Sequence, residues 1–163
     1  MFNVILAYLD EIGFPYLRNG EETSVTFLVR MSNASFHCIL ELRESFSVVI
    51  FYSVLNIVVP EYKRKSVAEL ITRINNELII GNFNLDFSDG EIRYRTSVDF
   101  EGIKLTADLL RNIIDPNLAL SDDYFYPIVN SIMTEMSPEE IMRKKADFDA
   151  KAIDSRAMDE PTK

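Results

Sequence analysis

"NFNLDFSDGEIRYRTSVDFEG", Asn82 to Gly102, decides how this chain is read. Its acidic residues around Asp89 and Gly90 admit three readings: a calcium loop, a catalytic carboxylate pair, or a hairpin. If Gly90 is the sixth position of an EF-hand loop, the first and third positions are Leu85 and Phe87, which offer no oxygen ligand. The calcium motif fails. Asp86 and Asp89 have no apolar pocket implied around them to split their pKa values, so general acid and base work has no basis there. The hairpin reading accounts for nearly every residue. Asp-Gly is a favoured two-residue turn, and the register it sets pairs Phe87 with Ile92, Asp86 with Arg93, Leu85 with Tyr94 and Asn84 with Arg95. Ser88 then faces Glu91. Apolar meets apolar and charge meets countercharge, with each pair contributing about 0.2 to 1 kcal/mol. The outward ladder of Asn84, Asp86, Arg93 and Arg95 is a surface that a partner can read.

Upstream, Phe2, Ile5, Leu6, Leu9 and Ile12 recur at helical spacing, and Gly13 supplies a residue suited to a helix C-terminus before Pro15. From Tyr16 the period changes to two. Val25, Phe27, Val29 and Met31 make one apolar strand face, "SNAS" (Ser32 to Ser35) is turn material, and Phe36, Cys38, Leu40 and Leu42 alternate in a second strand. Phe46 to Val54 is apolar on both faces, which predicts a central strand covered on both sides. Pro60 then opens a helix whose stripe is Val67, Leu70, Ile71, Ile74 and Leu78, ending by Gly81.

Downstream, Thr106 is placed to cap a third helix carrying Leu109, Leu110, Ile113 and Ile114. Pro116 and Pro127 interrupt its pattern, and an interior proline predicts a kink or break near Asp115. "SPEE" (Ser137 to Glu140) restarts a helix with a capping serine and a proline at the first position. From Phe148 the pattern thins toward a frayed tail, "DEPTK". The order is helix, strands, helix, hairpin, helix. It predicts an α+β domain with an antiparallel sheet and helices packed on one face.

The 163 residues, 47% hydrophobic, suffice for one core, over residues 1–136, with 137–163 as a helical extension and tail. Seventeen lysines and arginines against 26 carboxylates give a net charge of −9, which argues against nucleic acid and against anionic membrane as partners. With one cysteine, Cys38, and one histidine, His37, there is neither an internal disulfide nor a structural zinc set. Adjacent on a strand, those two side chains point apart and cannot share a proton. The N-terminus lacks a basic region before its apolar residues, and the longest apolar run is too short for a membrane helix, so the expected setting is the cytoplasm. No nucleotide-binding or hydrolase signature occurs, and neither a catalytic constellation nor a cofactor is expected. "EYKRK" (Glu61 to Lys65) is the basic cluster. Its Lys63, Arg64 and Lys65 are candidate partner contacts, set against the plainer reading of a solvated first turn. Met133, Met136 and Met142 suit core packing or a dimer seam as the plainer reading, with an adaptable binding surface as the alternative.

"FYSV", "VPEYKRKSVAELITRIN", "GNFNLDFSDGEIRYRTS" and "LTADLLRNIID" together resemble the YbjN-domain family of bacterial proteins, over roughly residues 2 to 136. The resemblance implies a fold similar to type III secretion chaperones, a dimeric habit and a label of sensory transduction regulator. It implies neither catalytic residues nor a cofactor. The chain departs from the family in the prolines of the third helix and after Ser137. The expectation is therefore a non-enzymatic, chaperone-like protein-interaction module with a protein client or regulator as partner, and a homodimer, on the family's dimeric habit and the apolar residues left over around Ile128 to Met142, with no pairing surface assigned. The alternative is a small-molecule sensor or enzyme with a pocket between sheet and helices.

Overall fold

The computed structural model describes residues 1–20 and 23–159. Helix α1 (Phe2–Glu11) is followed by strands β1 (Tyr16–Arg18), β2 (Ser24–Arg30), β3 (Ser35–Arg43) and β4 (Val48–Val58). Helix α2 (Arg64–Glu77), the hairpin β5 (Asn82–Leu85) and β6 (Glu91–Asp99), and helices α3 (Ala107–Asp123), α4 (Phe125–Met133) and α5 (Pro138–Asp159) complete the chain. The strands form one six-stranded sheet in the order β1-β2-β3-β4-β6-β5, with every neighbour antiparallel. The α+β class is as the sequence implies.

Parity sorts the sheet. Phe27, Cys38, Ser53, Tyr94 and Phe83 lie in one cross-strand row, and Val25, Leu40, Phe51 and Thr96 in the next. All nine are buried, and the helices lie on their side. Ile5, Leu9, Val67, Leu70, Ile74, Leu110 and Ile128 face them from α1, α2, α3 and α4, each at 0% exposure. Phe27 stacks on Phe51 at 5.9 Å between ring centroids, and Phe83 tilts against Tyr94 at 4.5 Å. The capping expectations hold: the Leu109 N–H donates to Thr106 Oγ1 at 3.3 Å, and the Glu140 N–H to Ser137 Oγ at 3.2 Å.

Four expectations need correction. Strand β4 is central, but its two faces differ: Val49, Phe51, Ser53 and Leu55 are buried against the helices, whereas on the other side Ile50 is buried outside the core and Val48, Tyr52 and Val54 are half-buried. The hairpin register is displaced by two: Leu85 pairs with Ile92, Asn84 with Arg93, and Asn82 with Arg95. The cause is Asp86. Its carboxylate accepts from the Ser88 N–H at 2.8 Å and from the Ser88 hydroxyl, which forms a local side-chain turn instead of a ladder pair. The Gly90 N–H closes the loop on Asp86 O at 2.8 Å, and Phe87 goes out to solvent at 55% exposure.

Helix α3 also runs through Pro116 without a break, and the break comes at Tyr124. Tertiary bonds hold the helix there. Asn117, next to the proline, is anchored in the sheet, and the Thr96 hydroxyl donates to Ile113 O at 2.8 Å, just before the ring. Finally, α5 continues past Phe148 to Asp159 where thinning was expected, while residues 160–163 of the anticipated tail lie outside the described residues.

Candidate functional site

The residues between the buried positions define the other side of the sheet. Leu17, Thr26, Ile39, Tyr52, Arg95 and Asn82 form one cross-strand row there, and Leu28, His37, Val54, Arg93 and Asn84 the next. Leu17 is 75% exposed and Leu28 72%. Beside them lies a hollow of about 460 Å³, lined by Pro15, Leu17, Thr26, Phe27, Leu28 and His37. A second hollow, of about 490 Å³, opens where β4 leaves its register with β6 between Val54 and Val58. Such an irregularity bends a strand and re-aims its side chains, and Val58 stands 67% exposed. The signal for this face was present in the sequence as the second apolar side of Phe46 to Val54.

Charge distinguishes this face from the rest of the molecule. Parity places Arg30, Arg43, Arg93 and Arg95 on it, against Glu41, Glu91 and Asp99. Four cations against three anions make this face slightly positive, so the other surfaces together carry more than the whole net charge of −9. Arg43 pairs with Glu41 at 2.8 Å, and Arg93 pairs with Glu91 beside it on β6. Of the ladder expected in the hairpin, Asn84, Arg93 and Arg95 do share this face. Asp86 sits in the turn, where its bonds from the Ser88 hydroxyl and N–H hold its carboxyl below the ordinary carboxylate range.

The basic cluster separates. Lys63 turns inward, with Nζ donating to Thr134 O at 2.6 Å and to Glu135 Oε1 at 2.9 Å, so it ties α2 to the connection between α4 and α5. Arg64 donates to Val59 O, just after β4, at 3.2 Å and to Phe87 O in the hairpin loop at 2.7 Å, so it links the two. Lys65 remains exposed. Of the methionines, Met133 is 75% exposed while Met136 and Met142 pack against the core.

The outer edge of β5 is closed to strand addition at its centre. Asn75 of α2 donates from Nδ2 to Phe83 O at 3.0 Å and accepts the Phe83 N–H on Oδ1 at 2.8 Å, occupying both backbone groups of that residue. The opposite edge, β1, is only three residues long.

The buried side holds a polar knot instead of a reactive group. Asn117 Oδ1 accepts from Ser53 Oγ at 2.6 Å, while Nδ2 lies within 3.2 Å of Phe51 O and Tyr94 O and 3.0 Å from Thr96 Oγ1. Burial pushes the neighbouring Cys38 thiol up to about 12, so it stays neutral and unreactive at physiological pH. Asp122 and Asp123 diverge as expected of helix neighbours. Asp122 Oδ1 accepts the Asn33 and Ala34 N–H groups at 2.8 and 3.0 Å, pinning the β2–β3 turn, whereas Asp123 pairs with Lys145 at 2.8 Å. Burial works to lower the pKa of Lys145, but its bonds to Asp123 and Asp149 outweigh that and raise it. Among the described residues, no helix is long and apolar enough to cross a membrane.

The YbjN family model, described as "Putative bacterial sensory transduction regulator", matches residues 2–128. No curated protein matches. The crystal structure of YbjN from E. coli, described as "a putative transcription regulator", superposes with a TM-score of 0.58 at 13% identity, covering 77% of this chain and 92% of that one. A chain of the ExsC–ExsE complex superposes at 0.54 and 15% identity, covering 76% and 89%. At these identities the likeness is one of fold.

Proposed function

The chain belongs to the YbjN family, and from that premise we propose that it is a non-enzymatic, chaperone-like protein-interaction module with a regulatory role, acting in the cytoplasm as a homodimer. The observation that carries the reading is the uncovered face of the sheet. A contiguous apolar surface rimmed by arginine and asparagine is the composition of a protein-docking patch, since exposed apolar patches of this kind mark interaction sites. Asn84, Arg93 and Arg95 are its proposed polar contacts, with Asp86 and Arg64 at the hairpin margin and Lys65 exposed at the start of α2. The ExsC–ExsE complex supports the same reading by analogy, because there a chain of this fold is found with a protein partner.

The space between sheet and helices, where a small-molecule site was the alternative, is filled by Phe51, Asn117, Tyr94 and their neighbours. The test is a photo-crosslinking amino acid placed singly at Tyr52 and Arg95 on the open face, and at Arg73 on the exposed side of α2 as control. Covalent adducts with another polypeptide from the first two positions and not from Arg73 are expected. Equal yields at all three, or none at Tyr52 and Arg95, would overturn the reading.

A further inference from the structure

Resting on the reading that this chain binds another polypeptide, we infer that an extended segment of that partner adds as a strand to β6 at Ser97, Val98 and Asp99, beyond the point where β5 begins. Strand β5 starts at Asn82, opposite Arg95, whereas β6 runs on to Asp99. Backbone alternation shows where the groups of that overhang point. Phe83 directs its N–H and C=O to Asn75, away from β6, so Asn82 and Asn84 are the residues of β5 that bond to Arg95 and Arg93. By the same period of two, Ser97 and Asp99 direct their N–H and C=O toward the β5 side. The other parity agrees, since the Phe100 N–H donates to Ser47 O at 2.9 Å, on the β4 side. Among the described residues, no backbone hydrogen bond to Ser97 or Asp99 comes from the β5 side.

The turn before β5 stays clear of this overhang. Gly81 has a φ of +72°, and a Cβ there would lie 2.6 Å from Arg95 O and 2.8 Å from the Tyr94 hydroxyl, so the chain presses onto the helix side of β6. The Tyr94 hydroxyl donates to Ile80 O and fixes the turn in that place. Ile79 is left 99% exposed, and a hollow of about 450 Å³ opens between residues 79–82 and residues 95–97. Elsewhere the sheet guards its edges: Asn75 occupies Phe83 on β5, and on β1 the Gly20 N–H donates to Arg18 O at 3.1 Å. An open row of donors and acceptors beside an exposed isoleucine is a setting for strand addition, in which main-chain bonds give affinity and alternate side chains give specificity.

The occupant is defined by what it faces. It continues the line of β5, antiparallel to β6, and Gly81 closes the place opposite Thr96. In chain order its residues therefore meet Asp99, Val98 and Ser97. The first lies on the open face against the Asp99 carboxylate, which the Glu101 N–H holds in place at 2.8 Å, and it takes lysine or arginine. The second points to the helix side beside half-buried Val98 and takes valine or isoleucine. The third lies against Ser97 and takes threonine or serine. Opposite charges and β-branched neighbours across a strand pair each add to the pairing.

The experiment is an NMR titration of the isotope-labelled full chain with acetyl-Gly-Lys-Val-Thr-Gly-amide at millimolar concentration. Saturable shifts are expected at the Ser97 and Asp99 amides, larger than those at Tyr52 or Arg93. Methylating the threonine nitrogen of the peptide removes its donor to Ser97 O and is expected to weaken binding about tenfold. Asp99→Lys leaves the backbone groups in place, and it is expected to weaken this peptide and favour one with glutamate in place of lysine. Circular dichroism checks that the variant keeps the fold. No saturable shift at Ser97 and Asp99, equal binding of the methylated peptide, or an Asp99→Lys chain with unchanged charge preference would each overturn the inference. Shifts at those two amides that grow with protein concentration, without peptide, would assign the edge to a second copy and overturn it as well. Shifts confined to Tyr52, Arg93 and their neighbours would sink strand addition alone and leave the docking-face reading standing.

Discussion

Phe51 and Tyr52 are neighbours on the same strand, yet they live in different solvents. Phe51 points into the sheet–helix layer at 0% exposure, stacked on Phe27, with its carbonyl within reach of Asn117. Tyr52 points the other way, onto a face that no helix covers. Strand parity alone makes the difference, and it divides the molecule into a side that holds the fold and a side free to bind.

Breaking the buried side should cost most. Phe51→Ala removes a fully buried aromatic from the middle of the core and should lower stability by about 4 kcal/mol, measured by urea unfolding. Asn117→Leu comes next, at about 3 kcal/mol. It leaves the buried Ser53 hydroxyl without its acceptor and removes the donors to Phe51 O and Tyr94 O. Because the cost lies partly in the orphaned hydroxyl, adding Ser53→Ala should recover part of it, and a strictly additive double variant would show that the two groups do not act together.

At the rim between the two sides stands Asp122, whose carboxylate holds the backbone of the β2–β3 turn. Asp122→Ala should cost about 2 kcal/mol, the range of hydrogen bonds to a charged acceptor in a partly buried place. The loss should be local. Amide exchange at Asn33 and Ala34 should accelerate before exchange in β4 does, and uniform acceleration would show that the turn is not separately pinned.

How much of this division the sequence displayed depends on how local each cause is. Alternation in Ser24 to Arg30 and Ser35 to Arg43 is a property of single strands, so the buried set Val25, Phe27, Phe36, Cys38 and Leu40 was legible. The hairpin register was legible in parity but not in count. A shift of two leaves every side chain on its face, and the choice between registers was made by Asp86 bonding to Ser88, a contact that competes with the ladder over three residues. Pro116 was misread for the opposite reason. Its local penalty is real, but bonds from Asn117 and Thr96 to groups distant in sequence hold the helix through it. The bare face was hidden because an apolar strand side looks the same whether a helix or a partner covers it. Lys63, a basic residue beside exposed basic residues, gave no local sign that it would reach the connection between α4 and α5.

The open side should yield the smallest effect, and its dependence on concentration carries the information. In dilute solution, where the chain is monomeric, Tyr52→Ser should change stability by no more than about 0.5 kcal/mol, as is usual for a surface position away from caps and cores. A loss approaching that of Phe51→Ala would mean that the face is packed within a single chain, and the division drawn between the two residues would fall. If instead a second copy covers Tyr52, association adds to the stability of the parent chain by mass action, so the gap between parent and Tyr52→Ser should widen as protein concentration rises. The gap between parent and Phe51→Ala should widen much less, because that variant keeps its open face. Thermal unfolding followed over a hundredfold range of concentration separates the two: a Tyr52 cost that grows with concentration belongs to an interface, and one that does not belongs to the monomer.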